Sequence, residues 1–202
     1  LDFVQDFRNS FRKFTSNHPR VTLSAGISIV NYKYPVMISS QLAEKALDNA
    51  KSYMQKGELN PSKDKVSLFG EVFNWAELAT IQSFKNKLLE IMRKHENYQK
   101  KEVLGRAFLY RIWKSTLGFK RILADSLKGK VDNVRFWRFA YYLRDIDRKD
   151  ADDLLAEYRN IVLYNLLGKS TDNQIRNIMI IPAAVKCAQM ETRKVRGMEN
   201  ER

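Results

Sequence analysis

Cysteine and histidine are both scarce in this chain, and each shortage removes a class of function. The 202 residues include one cysteine, Cys187, and two histidines, His18 and His95. A single thiol forms no internal disulfide and builds no cysteine-rich zinc site. A reducing, cytoplasmic setting is the simplest reading. Two isolated histidines and one cysteine offer no Ser/His/Asp or Cys/His set for nucleophilic catalysis, and both histidines read as surface residues. Neither G-x-x-x-x-G-K-[ST] nor G-x-G-x-x-G occurs, which argues against a P-loop or a dinucleotide-binding turn. No apolar run approaches the ~20 residues of a membrane span. The longest, around Ile178 to Ile181, is interrupted by Pro182. A signal-peptide pattern is also lacking at the N-terminus, so no membrane partner is expected.

Basic residues are abundant. Lys and Arg number 36 against 23 Asp and Glu, a formal net charge of +13. The excess is uneven: residues 1–72 carry 10 basic and 7 acidic side chains, residues 73–202 carry 26 and 16. Such a surplus points to an anionic partner such as nucleic acid, or to a solvated, charge-rich helical surface. With 44% hydrophobic residues the chain has enough apolar surface for one or two cored domains.

The hydrophobic spacing changes character along the chain. Phe3, Phe7, Phe11 and Phe14 mark one face of a helix from about Asp2 to Thr15, expected to pack on a sheet, with Arg8, Arg12 and Lys13 off that face. His18-Pro19 ends it. From Val21 to Asn31, Leu23, Ala25, Ile27 and Ile29 alternate with Ser24, Gly26 and Ser28, the period of a strand. Pro35 and Ser39-Ser40 break the pattern and cap a helix from about Ser40 to Lys56. Its apolar stripe is Leu42, Ala43, Ala46, Leu47 and Ala50. Lys51 follows on the edge of that stripe, where a lysine stem lies along the core boundary and its ammonium reaches out. Gly57, Asn60 and Pro61 form a turn, and Lys65 to Phe69 a last strand. Two strands are too few for a stable sheet. That shortage, with Leu1 standing where a Met would open a whole protein, leads to the expectation that further strands lie upstream.

From Asn74 onward the spacing is helical. Helices are predicted over about 74–96, over 104–127 with a break near Gly118, over a stretch carrying Phe136, Phe139, Ala140, Leu143 and Ile146, over 149–167, and over 171–194 with a kink or stop at Pro182. The fold class is therefore α+β: a half-palm of ferredoxin-like type over residues 1–72, then an all-α helical bundle over residues 73–202.

The order of elements in the first part, with the motifs SAG(I), a Tyr-Pro turn, AE..AL..AK and the short strand KVSLF, resembles the second half of a cyclase or GGDEF-type palm. With the basic helical tail, it most resembles the second palm domain of the large subunit of type III-A (Csm-type) CRISPR effector complexes. The resemblance implies a cytoplasmic antiviral-defence protein whose intact form makes cyclic oligoadenylate from ATP with a divalent metal, Mg or Mn. It also implies a single-strand DNA nuclease in a separate domain. Its implied partners are the guide RNA–target RNA complex and the other effector subunits, small helical ones included.

By that resemblance Lys51 lies on the triphosphate side of a nucleotide site, and the face of Ser24 and Gly26 lies under the nucleotide. Read from the residues alone, Lys51 is equally the solvated end of an amphipathic helix. Ser24 and Gly26 are equally small residues at a tight sheet–helix contact. The Gly-Gly-Asp-Asp turn that holds metal in the family is absent, as are its histidine-aspartate nuclease motif and cysteine zinc ribbon. Asp152-Asp153, an adjacent acidic pair in a first helical turn, reads as structural. The chain alone is therefore expected to have no catalytic residue, no metal site, no bound cofactor and no activity.

Candidate nucleic-acid contacts are Arg135, Arg138, Trp137, Tyr141, Arg144 and Arg148, with Arg111 and Lys114 on the preceding helix, beside Arg106, Lys120 and Arg121. Guanidinium groups near aromatic rings suit a nucleic-acid backbone with occasional base stacking. Pairing of these arginines with Asp145, Asp147 and Glu157, and burial of Trp137 between helices, is the competing reading. Two further functions stay open: a GGDEF-type diguanylate cyclase fragment, which keeps a Gly and an Asn after the AK but here lacks the Arg between them, and a non-enzymatic RNA-binding or scaffold module.

Overall fold

A computed structural model describes residues 1–31, 33–54, 63–97, 106–119, 121, 136–144, 146–167 and 178–193. The secondary structure is α-rich with one small sheet, an α+β content. Two compact units divide between Gln82 and Ser83, inside a helix rather than at residue 72.

The first unit holds helix α1 (Asp2–Phe14), strand β1 (Ala25–Ile27), helix α2 (Val36–Ser52), strands β2 (Lys65–Leu68) and β3 (Glu71–Asn74), and the first turns of helix α3 (Trp75–Asn97). The sheet order is β1-β2-β3. β1 and β2 run parallel, with Gly26 beside Ser67, and α2 makes the crossover between them. β2 and β3 form a hairpin with Leu68 opposite Glu71. The strand expected to be last is thus followed by another. Phe69 and Gly70, at φ 55° and 80°, make a two-residue turn in the left-handed backbone region, whose twist matches the right-handed twist of the paired strands. Gly70 turns the chain rather than ending the sheet.

The register sorts the faces. Val66, Leu68 and Phe73 are buried on one side of the sheet, and the alternation of β1 places Ala25 and Ile27 there with them. Ser24, Gly26 and Ser28 point to the other side, where α2 lies, and Ser28 Oγ donates to the Ser39 carbonyl at 3.1 Å. α2 starts earlier than its serines imply. Pro35 precedes its first turn, and the Ser39 and Ser40 hydroxyls donate back to the Val36 and Met37 carbonyls at 2.8 Å. Side-chain bonds of that kind belong inside a helix, not at its cap. Val36, Met37, Ile38 and Leu42 stay exposed, so the buried stripe narrows toward Ala43, Leu47 and Ala50.

α1 is rotated relative to its expected phase. Phe3, Phe7 and Phe14 are exposed and Phe11 is half-buried. Arg8, expected off the packing face, instead lies over the Trp75 ring at 4.9 Å and pairs with Asp64 at 3.6 Å. Asp2 accepts a hydrogen bond from Gln82. Polar anchors on Arg8 and Asp2, rather than the aromatic row, set how this helix lies.

α3 opens on a reciprocal cap. Glu77 N–H donates to Asn74 Oδ1 at 2.8 Å and Asn74 N–H to Glu77 Oε2 at 2.7 Å, the capping-box arrangement with Asn as the cap. Trp75 is buried and donates its indole N–H to the Leu23 carbonyl at 3.1 Å.

The second unit comprises the rest of α3 with helices α4 (Arg106–Ser115), α5 (Phe136–Tyr142), α6 (Arg148–Leu167) and α7 (Ile180–Glu191). Its core gathers Phe84, Leu88, Phe108, Ile112, Phe139, Leu154, Tyr158 and Val185. The rings of Phe139 and Tyr158 stack at 3.7 Å between centroids, with Phe119 at 6.4 Å from Tyr158. Burial holds the Tyr158 hydroxyl well above its ordinary pKa, and Ser115 offsets part of that. Three lysines tie α3 to its neighbours: buried Lys85 to Glu191 at 2.8 Å, Lys87 to Glu157 at 2.9 Å, and Lys94 to Asp150 at 3.1 Å. Gly118, at φ 93°, follows the end of α4, where a break was expected. Pro182 sits in the first turn of α7, a position that needs no amide donor, so it opens the helix instead of kinking it. Asp152 and Asp153 lie in the second turn of α6 rather than the first.

Candidate functional site

Residues 1–82 build one candidate site at the end of α2. Lys51 stands on the last turn of the helix with an exposed side chain. The helix end beneath it is anchored by Lys65 on β2. That lysine is 4% exposed, donates its ammonium to the Tyr53 carbonyl at 3.2 Å and lies 4.9 Å over the Tyr53 ring. A carbonyl left without an intrahelical partner is thereby satisfied from a distant strand.

Ser24 and Gly26 sit where β1 meets other backbone. Ser24 Oγ donates to the Lys63 carbonyl, as Thr22 Oγ1 does at 3.4 Å. A Cβ added at Gly26 would lie 2.7 Å from Leu47 Cα and overlap the backbone of Ala43 and Leu47. The small residue therefore admits α2, and the space above it is filled by the helix. Of the three residues taken together from the sequence, Lys51 stands exposed on α2, Gly26 admits the helix that carries it, and Ser24 ties β1 to the segment that leads into β2.

Arg8, Asp64, Lys65 and Trp75 were not singled out from the sequence. Arg8 reads there only as a residue off the aromatic face and Lys65 only as the start of a strand, because nothing local tells a lysine that caps a remote helix end from one that faces water. The Trp at the start of α3 was the available signal, since a large ring there needs a partner for its N–H.

In the second unit the predicted basic residues have distinct environments. Arg135, Lys120 and Asp145 fall outside the described residues. Trp137 is 65% exposed and Tyr141 55% exposed, so Trp137 is not buried between helices. Arg138 lies 5.4 Å over the Trp137 ring, and Arg144 lies 4.5 Å over the Tyr141 ring while donating to its hydroxyl at 2.6 Å. Arg148, almost fully exposed, approaches Asp152 at 4.0 Å. Arg106, Arg111 and Lys114 are exposed on α4, which packs against α5.

A metal ion needs a gathered donor set, and the residues present do not fit one: among the described residues no group of three His, Cys, Asp or Glu side chains could hold an ion. Also among the described residues, no helix is long and apolar enough to cross a membrane.

Residues 1–60 match the family described as Cas10/Cmr2, second palm domain. Over 78 residues the chain is 32% identical to the CRISPR system single-strand-specific deoxyribonuclease Cas10/Csm1 (subtype III-A) of Methanocaldococcus jannaschii, a stretch that is 37% of this chain and 10% of that protein. Over 147 residues it is 27% identical to the protein of the same description from Mycobacterium tuberculosis, covering 71% of this chain and 15% of that protein. The matched stretches thus span 15% or less of the length of these curated relatives.

Proposed function

We propose that the chain serves as part of the large subunit of a type III-A CRISPR effector complex, a reading supported by the match of residues 1–60 to the Cas10/Cmr2 second palm domain. The observation that carries this reading is the family match over the palm segment whose helix α2 ends in the exposed Lys51. The first unit gives one edge of a nucleotide pocket. Lys51 meets the phosphates of ATP, Gly26 acts by fixing where α2 lies, and Ser24 holds β1 to the segment before β2. The metal-holding carboxylates belong to another part of the intact protein, where ATP is converted to cyclic oligoadenylate. A single-strand DNA nuclease, the activity named for the relatives, belongs to a further domain. The basic helical unit meets the guide RNA–target RNA complex and the neighbouring effector subunits in the cytoplasm.

Lys51→Ala in the full-length subunit tests the pocket. A charge-assisted bond of ammonium to phosphate contributes ~1.5–3 kcal/mol, so ATP affinity is expected to fall by about 10-fold or more. Unchanged ATP binding by that variant would leave the palm half a structural element of an RNA-binding or scaffold module. Binding of GTP without ATP would instead favour a diguanylate cyclase relationship. The 202-residue chain alone is expected to release no cyclic product from ATP and divalent metal.

A further inference from the structure

Two large aromatic side chains on α5 face water although the core beneath them is complete. Phe139 and Leu143, on the opposite side of the helix, are buried, so the unit gains no core from Trp137 or Tyr141. Both rings lie on one helix face at a spacing of four residues, where Cβ atoms stand ~5–6 Å apart. Each carries a guanidinium held over or beside it, Arg138 at 5.4 Å and Arg144 at 4.5 Å. Among the described residues, three carboxylates of the following segment have partners of their own. Asp150 pairs with Lys94 at 3.1 Å, Asp152 lies 4.0 Å from Arg148, and Asp147 accepts the Lys149 N–H at 3.1 Å.

We propose that this face of α5 is a stacking platform for an unpaired nucleic-acid strand, with successive bases on Trp137 and Tyr141 and the strand's phosphates on Arg138 and Arg144. The inference rests on the nucleic-acid reading of the helical unit given above and names the substrate class. The rings favour a single strand over a duplex. Exposed flat rings offer π-faces that only an unstacked base can cover, and the bases inside a duplex are already stacked. The surplus of basic over acidic side chains in residues 73–202 supplies the long-range attraction that any nucleic acid feels. The rings supply the preference. A base on Trp137 leaves Arg138 in position to reach the adjoining phosphate, so the cation that pre-orients the ring also serves the backbone.

The test titrates the 202-residue chain with an oligouridylate and with a duplex of equal length at low salt, following tryptophan fluorescence and affinity together. The exposed indole is expected to be quenched by the single strand and not by the duplex. Stacking contributes ~1–3 kcal/mol per base, so Trp137→Ala and Tyr141→Ala should each weaken single-strand binding by about 5- to 150-fold. Trp137→Phe should retain most of the affinity and lose the quenching. The slope of affinity against salt should stay unchanged in Trp137→Ala and shrink in Arg144→Gln, because a ring contact releases no counterions. Circular dichroism shows whether each variant keeps its helices. Binding by Trp137→Ala at wild-type strength, or equal affinity for duplex and single strand, overturns the platform while leaving a backbone-only RNA contact standing. Absence of salt-dependent binding to either oligonucleotide overturns both. Loss of association with another effector subunit, with oligonucleotide binding intact, assigns the face to protein instead.

Discussion

Replacing Gly26 by Ala separates the two roles that a small residue on β1 can play. If the residue leaves room for a ligand, one methyl group costs affinity and spares stability. The structure requires the reverse. The added Cβ would sit 2.7 Å from Leu47 Cα, against ~3.5–4.0 Å for carbon atoms in good contact. The obstacle is helix backbone, which cannot rotate aside, so α2 must withdraw by about 1 Å. A gap of that size forfeits a quarter to a half of each dispersion contact across it, and the contacts at risk are those of Ala43, Leu47 and the fully buried Ala50. With the ordinary cost of overpacking, ~1–3 kcal/mol, the loss comes to about 2–4 kcal/mol. That is a large share of the ~5–15 kcal/mol that holds a typical domain together. Hydrogen exchange read over α2 and β2 is the suitable assay, because it reports the first unit by itself. Protection there should drop by about 30-fold or more. Gly70→Ala is the control: its Cβ meets nothing within 4 Å at φ 80°, leaving only the left-handed backbone cost of ~1–2 kcal/mol. Wild-type protection in Gly26→Ala, with ATP binding by the full-length subunit lost, would refute the packing argument and restore Gly26 to the floor of a ligand site.

Two further expectations concern stability. Asn74→Ala removes the cap of α3 and leaves Glu77 without its reciprocal partner; a loss of ~1 kcal/mol should appear as a lower urea midpoint. Cys187 is buried, and burial pushes its thiol up to about 11 from 9.0. The unfolded chain therefore ionises first, and stability should fall as pH rises from about 9 toward 11. Cys187→Ala should lose that part of the decline, and alkylation of the native thiol at pH 8 should be about 100-fold slower than in urea, following the thiolate fraction.

Long periodic segments were legible in the sequence. Ile81, Phe84, Leu88, Ile91 and Met92 place α3 within one residue of its observed ends, and Leu154, Tyr158, Ile161 and Val162 do the same for α6. Periodicity gives existence and length, but the rotation of a helix depends on what it meets. The phenylalanine row of α1 has the spacing of a buried face, yet Asp64 and Trp75, remote in sequence, hold Arg8 inward instead. β3 was missed because Gly70 serves equally well as an ending or as a hairpin turn, and four residues are too few to show a period. The same ambiguity affects the site. A small residue on a strand marks a close approach without saying by what, so Gly26 pointed to a contact and not to its partner. Lys51 was legible because the edge of an apolar stripe is a property of the helix alone.

The lysine that closes the end of α2 has a further consequence, for entropy. Helix termini fray, and a cation on a fraying turn must be stilled together with its backbone before it can hold an anion. Fixing backbone costs ~1–2 kcal/mol for each residue, and a lysine side chain up to ~2 kcal/mol more. Here the Lys65 ammonium grips the Tyr53 carbonyl at 3.2 Å, two residues beyond Lys51, so the turn is stilled by folding itself. An anion bound at Lys51 would have only the motion of one side chain left to quench. The mount is set when β2 pairs with β1, well before any ligand arrives.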